Sequence, residues 1–118
     1  MMSNINEYDL INEINELSQK LSASGTQMNK YGRELAAAER DYKMILRQEA
    51  LKLRNTDNMP VTLIDKVIYG VPEVAEARFK RDVAEAMYKT AVESINVLKL
   101  KIRILNAEIE REWNQQRR

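Results

Sequence analysis

Between residues 10 and 45 the apolar positions fall on one seam: Leu10, Ile14, Leu17, Leu21, Ser24, Met28, Tyr31, Leu35, Ala38, Tyr42 and Ile45. The spacing alternates 4 and 3 without a slip, and only Ser24 is plainly polar. A 3.5-residue period held over about five heptads predicts a helix that supercoils left-handedly against a partner helix. Ser3 or Asn4 can cap its first turn, and Glu7 and Asp9 suit the positive end of the macrodipole. Helix one is therefore expected over 4–54. Gly25 and Gly32 stand seven apart on one face of it. They mark either a hinge or close helix crossing, or a soft spot that the seam stabilises, each Gly costing about 1 kcal/mol relative to Ala.

Asn55-Thr56-Asp57-Asn58-Met59-Pro60 breaks the pattern. Asn and Asp favour turns through side-chain-to-backbone hydrogen bonds, and Pro60 pushes Met59 out of the helical region. Thr62 and Asp65 have the spacing of a capping box with a shortened acid. A short amphipathic helix is expected over Leu63–Ile68, with Gly70 as its C-terminal cap and Pro72 in the first turn of the next helix. The link thus covers 55–71 and helix two 72–116.

Helix two places apolar residues at Ala75, Phe79, Val83, Met87, Ala91, Ile95, Leu98, Ile102, Leu105, Ile109 and Trp113. Its spacing opens as a run of 4 and settles into 3 and 4 only later, which predicts a straighter start and a coiled-coil-like continuation. Val92, Val97, Leu100 and Ile104 add a second stripe, and a helix that is apolar on two sides is expected to be covered on two sides. Residues 98–104 alternate apolar and basic as a half-buried strand does. The helical sequence on either side, and the lack of any mate but Val61–Val71, favour helix. The fold class expected is all-α: a long antiparallel helical hairpin forming one domain, with a short helix in the link. Folding at the link sets Glu7, Asp9, Glu13 and Glu16 beside Arg111, Arg117 and Arg118. Exposed pairs of this kind contribute about 0–1 kcal/mol each, so they select register. Val97, Leu100 and Ile104 would then form a dimer interface, two hairpins making a four-helix bundle.

Composition narrows the function. With 31% charged and 6% aromatic residues, the chain of 118 leans towards coiled coil and away from a sandwich or barrel. Histidine and cysteine are absent. That removes the usual general base near neutral pH, the thiolate nucleophile and the commonest transition-metal ligands. Glu73/Glu76 and Glu108/Glu112 are carboxylate pairs on what is expected to be a solvated face, where nothing raises one pKa for acid–base work. The three Gly residues are too dispersed for a phosphate loop. The expectation is no enzyme and no cofactor. No apolar run approaches the roughly 18 residues of a membrane span, and the acidic N-terminus lacks the layout of a signal peptide. Together with the lack of cysteine, this predicts a cytoplasmic protein with no membrane partner.

Two surfaces remain as candidate partner sites. Leu63, Ile64, Val67, Ile68 and Tyr69 concentrate apolar surface in the link. They either fold back to plug the bundle or present a helix to an unidentified protein partner. Arg78, Lys80, Arg81, Lys89, Lys99, Lys101 and Arg103 could track nucleic-acid phosphates, with Tyr88 stacking on a base. Net charge is only +1, and Glu73, Glu76, Asp82, Glu85 and Glu93 interleave with the bases, so solvated helix surface competes with that reading.

At Met59-Pro60-Val61-Thr62, through Arg78-Phe79-Lys80-Arg81-Asp82-Val83-Ala84-Glu85 to Ile102-Arg103-Ile104-Leu105, and at Glu112-Trp113, the chain resembles small helical proteins from the early, replication and recombination regions of tailed phages of Gram-positive bacteria. The resemblance covers the C-terminal half and includes no catalytic motif. It implies a phage accessory protein in the host cytoplasm; with the missing catalytic residue types, the long seam and the apolar link, the role expected is a non-enzymatic one, binding a host or phage protein of DNA metabolism or defence. It assigns no residue a role.

Overall fold

A computed structural model describes residues 7–116, with three α-helices and one 3-10 turn. Helix α1 spans Glu7–Asn55, α2 spans Val61–Val67, a 3-10 turn follows at Ile68–Gly70, and α3 spans Pro72–Gln116. The described chain is helical throughout apart from the short breaks around α2, and 98–104 lies within α3. The expected caps Ser3 and Asn4 lie outside the described residues, as do Arg117 and Arg118 of the expected charge match.

The first break is built from local hydrogen bonds. Thr56 N donates to the Lys52 carbonyl at 2.8 Å and Met59 N to that of Leu53 at 3.1 Å, which satisfies carbonyls of the last turn of α1. Asn58 turns the chain in the left-handed region at φ 56°, a conformation Asn tolerates better than most side chains. Arg54 Nη1 then donates to the Met59 carbonyl at 3.1 Å. The capping-box expectation is corrected here. Pro60 is the N-cap of α2, without a side-chain cap, and Thr62 lies inside the helix. The Pro60 carbonyl accepts directly from Leu63 N and Ile64 N, so no hydroxyl is needed to start the turn. The Gly70 expectation is also corrected. Gly70 belongs to the 3-10 turn and has no positive φ, because Val71, in an extended conformation, makes the turn into α3. Pro72 occupies the first position of α3, where its missing N–H costs nothing.

The chain forms two compact units. One comprises Lys30–Lys89; the other combines the residues up to Asn29 with those from Thr90 onward. In the Lys30–Lys89 unit, Tyr42 of α1, Ile64 of α2, Ile68 of the 3-10 turn, and Val74 and Ala77 of α3 form the buried core. Ile64 and Ile68 are four apart, so one face of the link packs inward and seals the space between α1 and α3. Gly32 lies beside Tyr88 and Tyr42 beneath Arg81, a descending correspondence that makes the helices antiparallel in this unit. In the other unit the buried residues are Leu10, Leu17 and Ile95.

Every position of the α1 seam from Leu10 to Ile45 is buried or half-buried. The first half of α3 corrects the sequence reading. Ala75, Phe79, Val83 and Met87 are exposed, and Val74, Ala77, Arg81, Ala84 and Tyr88 are the covered positions. These continue through Ala91, Ile95, Leu98, Ile102, Leu105 and Ile109 to Glu112, giving an unbroken 3, 4 alternation along α3. The heptad was present from the start of the helix, carried by small and amphipathic residues where larger apolar ones were expected. At the last position Trp113 is exposed and Glu112 half-buried.

The two helical glycines differ. A Cβ on Gly32 would meet Tyr88 Cε1 at 3.3 Å, so this glycine serves a close helix crossing; a Cβ on Gly25 meets nothing within 4 Å. Gly25→Ala is expected to stabilise the protein by about 0.5–1 kcal/mol through helix propensity alone. Gly32→Ala is expected to give less than half that gain, since the Tyr88 ring must yield. Urea titrations of both variants check this, and equal gains would show that Tyr88 imposes no constraint.

Candidate functional site

Among the described residues, no group of three or more His, Cys, Asp or Glu side chains stands where a metal ion could be held. Glu73 and Glu76 are exposed, whereas Glu108 and Glu112 are half-buried, Glu112 at the end of the covered seam of α3 and Glu108 one turn after Ile104. No helix among the described residues is long and apolar enough to cross a membrane.

The link residues divide by face. Ile64 and Ile68 are core, Ile68 being only 3% exposed. Leu63, Val67 and Tyr69, together with Val61, are exposed. Ile64 and Ile68 thus plug the unit, and Leu63, Val67 and Tyr69 face solvent. Tyr69 is itself engaged, with the Arg78 guanidinium 5.3 Å from its ring centre.

The basic residues also divide. Arg81 lies 4.6 Å over the ring of buried Tyr42 and pairs with Asp82 at 2.8 Å. The hydrogen bond to Asp82 raises its pKa above the ordinary guanidinium value, so Arg81 is a fixed charge. Lys89 pairs with Glu85 at 3.0 Å. Tyr88 is half-buried against Gly32 and does not stand as a free stacking platform. Lys99, Lys101 and Arg103 are exposed and carry no ion pair among the described residues. The seven bases fall in two units. Four lie in the Lys30–Lys89 unit, three of them already engaged; the other three lie in the second unit.

Those last three flank an exposed apolar stripe of the second unit. Val97, Leu100 and Ile104 are 48%, 51% and 56% exposed, on the side of α3 away from its covered seam. At about 100° per residue, Lys101 borders this stripe on one side and Arg103 on the other, with Lys99 beyond it. From 94 to 107 there is no acidic residue, so the stripe is apolar at its centre and basic along both sides, with Glu93 and Glu108 one turn beyond its two ends. Phe79, Val83 and Met87 form a further exposed apolar strip on the part of α3 within the Lys30–Lys89 unit.

A groove of about 750 Å³, open to solvent, runs between α1 and α3 in the Lys30–Lys89 unit. Its floor is Ala37, Ala38, Ile45 and Ala77. Glu34, Asp41, Glu73 and Glu76 line its rim, against Lys80 as the only base of the lining. Arg40 pairs with Asp41 at 3.2 Å; Glu34, Glu73 and Glu76 make no ion pair among the described residues. The groove was not legible in the sequence, because its two acidic edges are separated by more than thirty residues and meet only when the helices pair.

The chain matches no known protein family, no curated protein and no solved structure.

Proposed function

We propose that this is a non-enzymatic helical interaction protein that self-associates through the outward face of α3. One observation carries the reading: Val97, Leu100 and Ile104 remain about half exposed after the opposite face of the same helix has been covered within the chain. A surface helix ordinarily has one apolar stripe, and a second one marks a further packing partner. Twofold pairing is the commonest way to supply it, giving four helices around a shared interface. The exposed link residues Leu63, Val67 and Tyr69 offer a separate surface for a different protein, and the resemblance to phage accessory proteins favours a partner of host or phage DNA metabolism or defence. Nucleic-acid binding is the weaker reading, since Arg78, Arg81 and Lys89 are committed within the chain.

Co-expression of a tagged and an untagged copy tests self-association. The untagged chain is expected to be retained with the tagged one through washing. Its consistent loss, with both copies well expressed and helical, would overturn the proposal.

A further inference from the structure

We infer that the acidic groove of the Lys30–Lys89 unit is the docking site for the Val97–Leu100–Ile104 stripe of a second copy. This rests on the self-association proposed above and names the surface that receives the stripe. The stripe could instead pack on its own symmetry mate. That arrangement brings Lys101 and Arg103 of one copy towards the same residues of the other, so like charges meet at the edge of the contact. The groove offers the opposite: an apolar floor for the three aliphatic side chains, and carboxylates at Glu34, Asp41, Glu73 and Glu76 for the flanking bases. Its alanines let a helix approach closely, and its volume of about 750 Å³ accommodates several aliphatic side chains. Val83 and Met87 follow Lys80 at helical spacing and extend the apolar surface along α3. Complementary potentials of this kind fix register and exclude wrong pairings more than they add affinity. In a twofold dimer each copy supplies one groove and one stripe, so every contact is made twice.

Charge exchange tests the inference. One variant carries Glu73→Lys with Glu76→Lys; the other carries Lys101→Glu with Arg103→Glu. Each alone is expected to weaken self-association by on the order of a hundredfold, because each reversed side chain acts twice. An equimolar mixture is expected to recover dimer, since the reversed groove meets the reversed stripe and the two unaltered surfaces meet each other. Sedimentation velocity reads all three samples, and far-UV circular dichroism verifies that each variant is helical. Recovery in the mixture also shows that both variants are folded. If the stripe variant dissociates while the groove variant stays dimeric, or if the mixture stays monomeric, the groove is not the docking site and self-association stands on another surface. An unaltered protein that is itself monomeric ends both proposals together.

Discussion

Replacing Ile68 with Asp is expected to remove most of the stability of the Lys30–Lys89 unit. Ile68 is 3% exposed and belongs to the cluster that joins α1, the link and α3. Truncating a buried Ile to Ala costs about 2–5 kcal/mol, and a carboxylate in the same place adds the cost of removing a charge from water with no partner to receive it. Total stabilities are about 5–15 kcal/mol, so one substitution of this kind is of the same order as the whole. Leu63→Asp is the control. It lies in the same short helix but faces solvent, and its effect is expected to stay within about 0.5 kcal/mol. Urea denaturation at fixed protein concentration, followed by circular dichroism, separates the two. Equal losses would mean that the link does not close the core through Ile64 and Ile68. The contrast also bears on partner binding: substitutions at Ile64 or Ile68 disturb the fold, so Leu63, Val67 and Tyr69 are the positions at which link recognition is to be probed.

The helical organisation was legible wherever large apolar residues themselves occupy the heptad positions. Leu10, Leu17 and Tyr42 set the register of α1, and Ile95, Leu98, Ile102 and Leu105 set that of the second half of α3. In the first half of α3 the largest hydrophobic residues do not mark the covered face. Phe79, Val83 and Met87 stand four apart and drift away from the covered face. The positions that are covered hold Ala77 and Ala84, whose small size permits close approach, and Arg81, which covers Tyr42 with its guanidinium. Counting back from Ile95 by 4, 3, 4, 3, 4 and 3 lands on Ala91, Tyr88, Ala84, Arg81, Ala77 and Val74. The register was therefore recoverable by extending the later heptad upstream. The link was legible in outline but not in its caps. Thr62 and Gly70 are the residue types that end helices, yet Pro60 and the extended Val71 do that work here. The acidic groove depends on the lateral packing of α1 and α3, which spacing along one helix does not encode.

The exposed face of α3 gives the other large effect. Leu100 is 51% exposed within the chain, so Leu100→Glu is expected to leave helicity and chain stability nearly unchanged. At an interface the same change loses about 1 kcal/mol of apolar burial, since half of the side chain is already covered within the chain, and places a charge where water is excluded, once for each copy. The dimer is expected to weaken by about 4 kcal/mol, roughly a thousandfold in dissociation constant. Sedimentation equilibrium of the unaltered protein and of Leu100→Glu, across the micromolar range, measures this directly. The account predicts twice the 13.8 kDa chain mass for the unaltered protein and the single-chain mass for the variant. An unaltered protein at 13.8 kDa throughout, or a variant that associates as tightly as its parent, would contradict it.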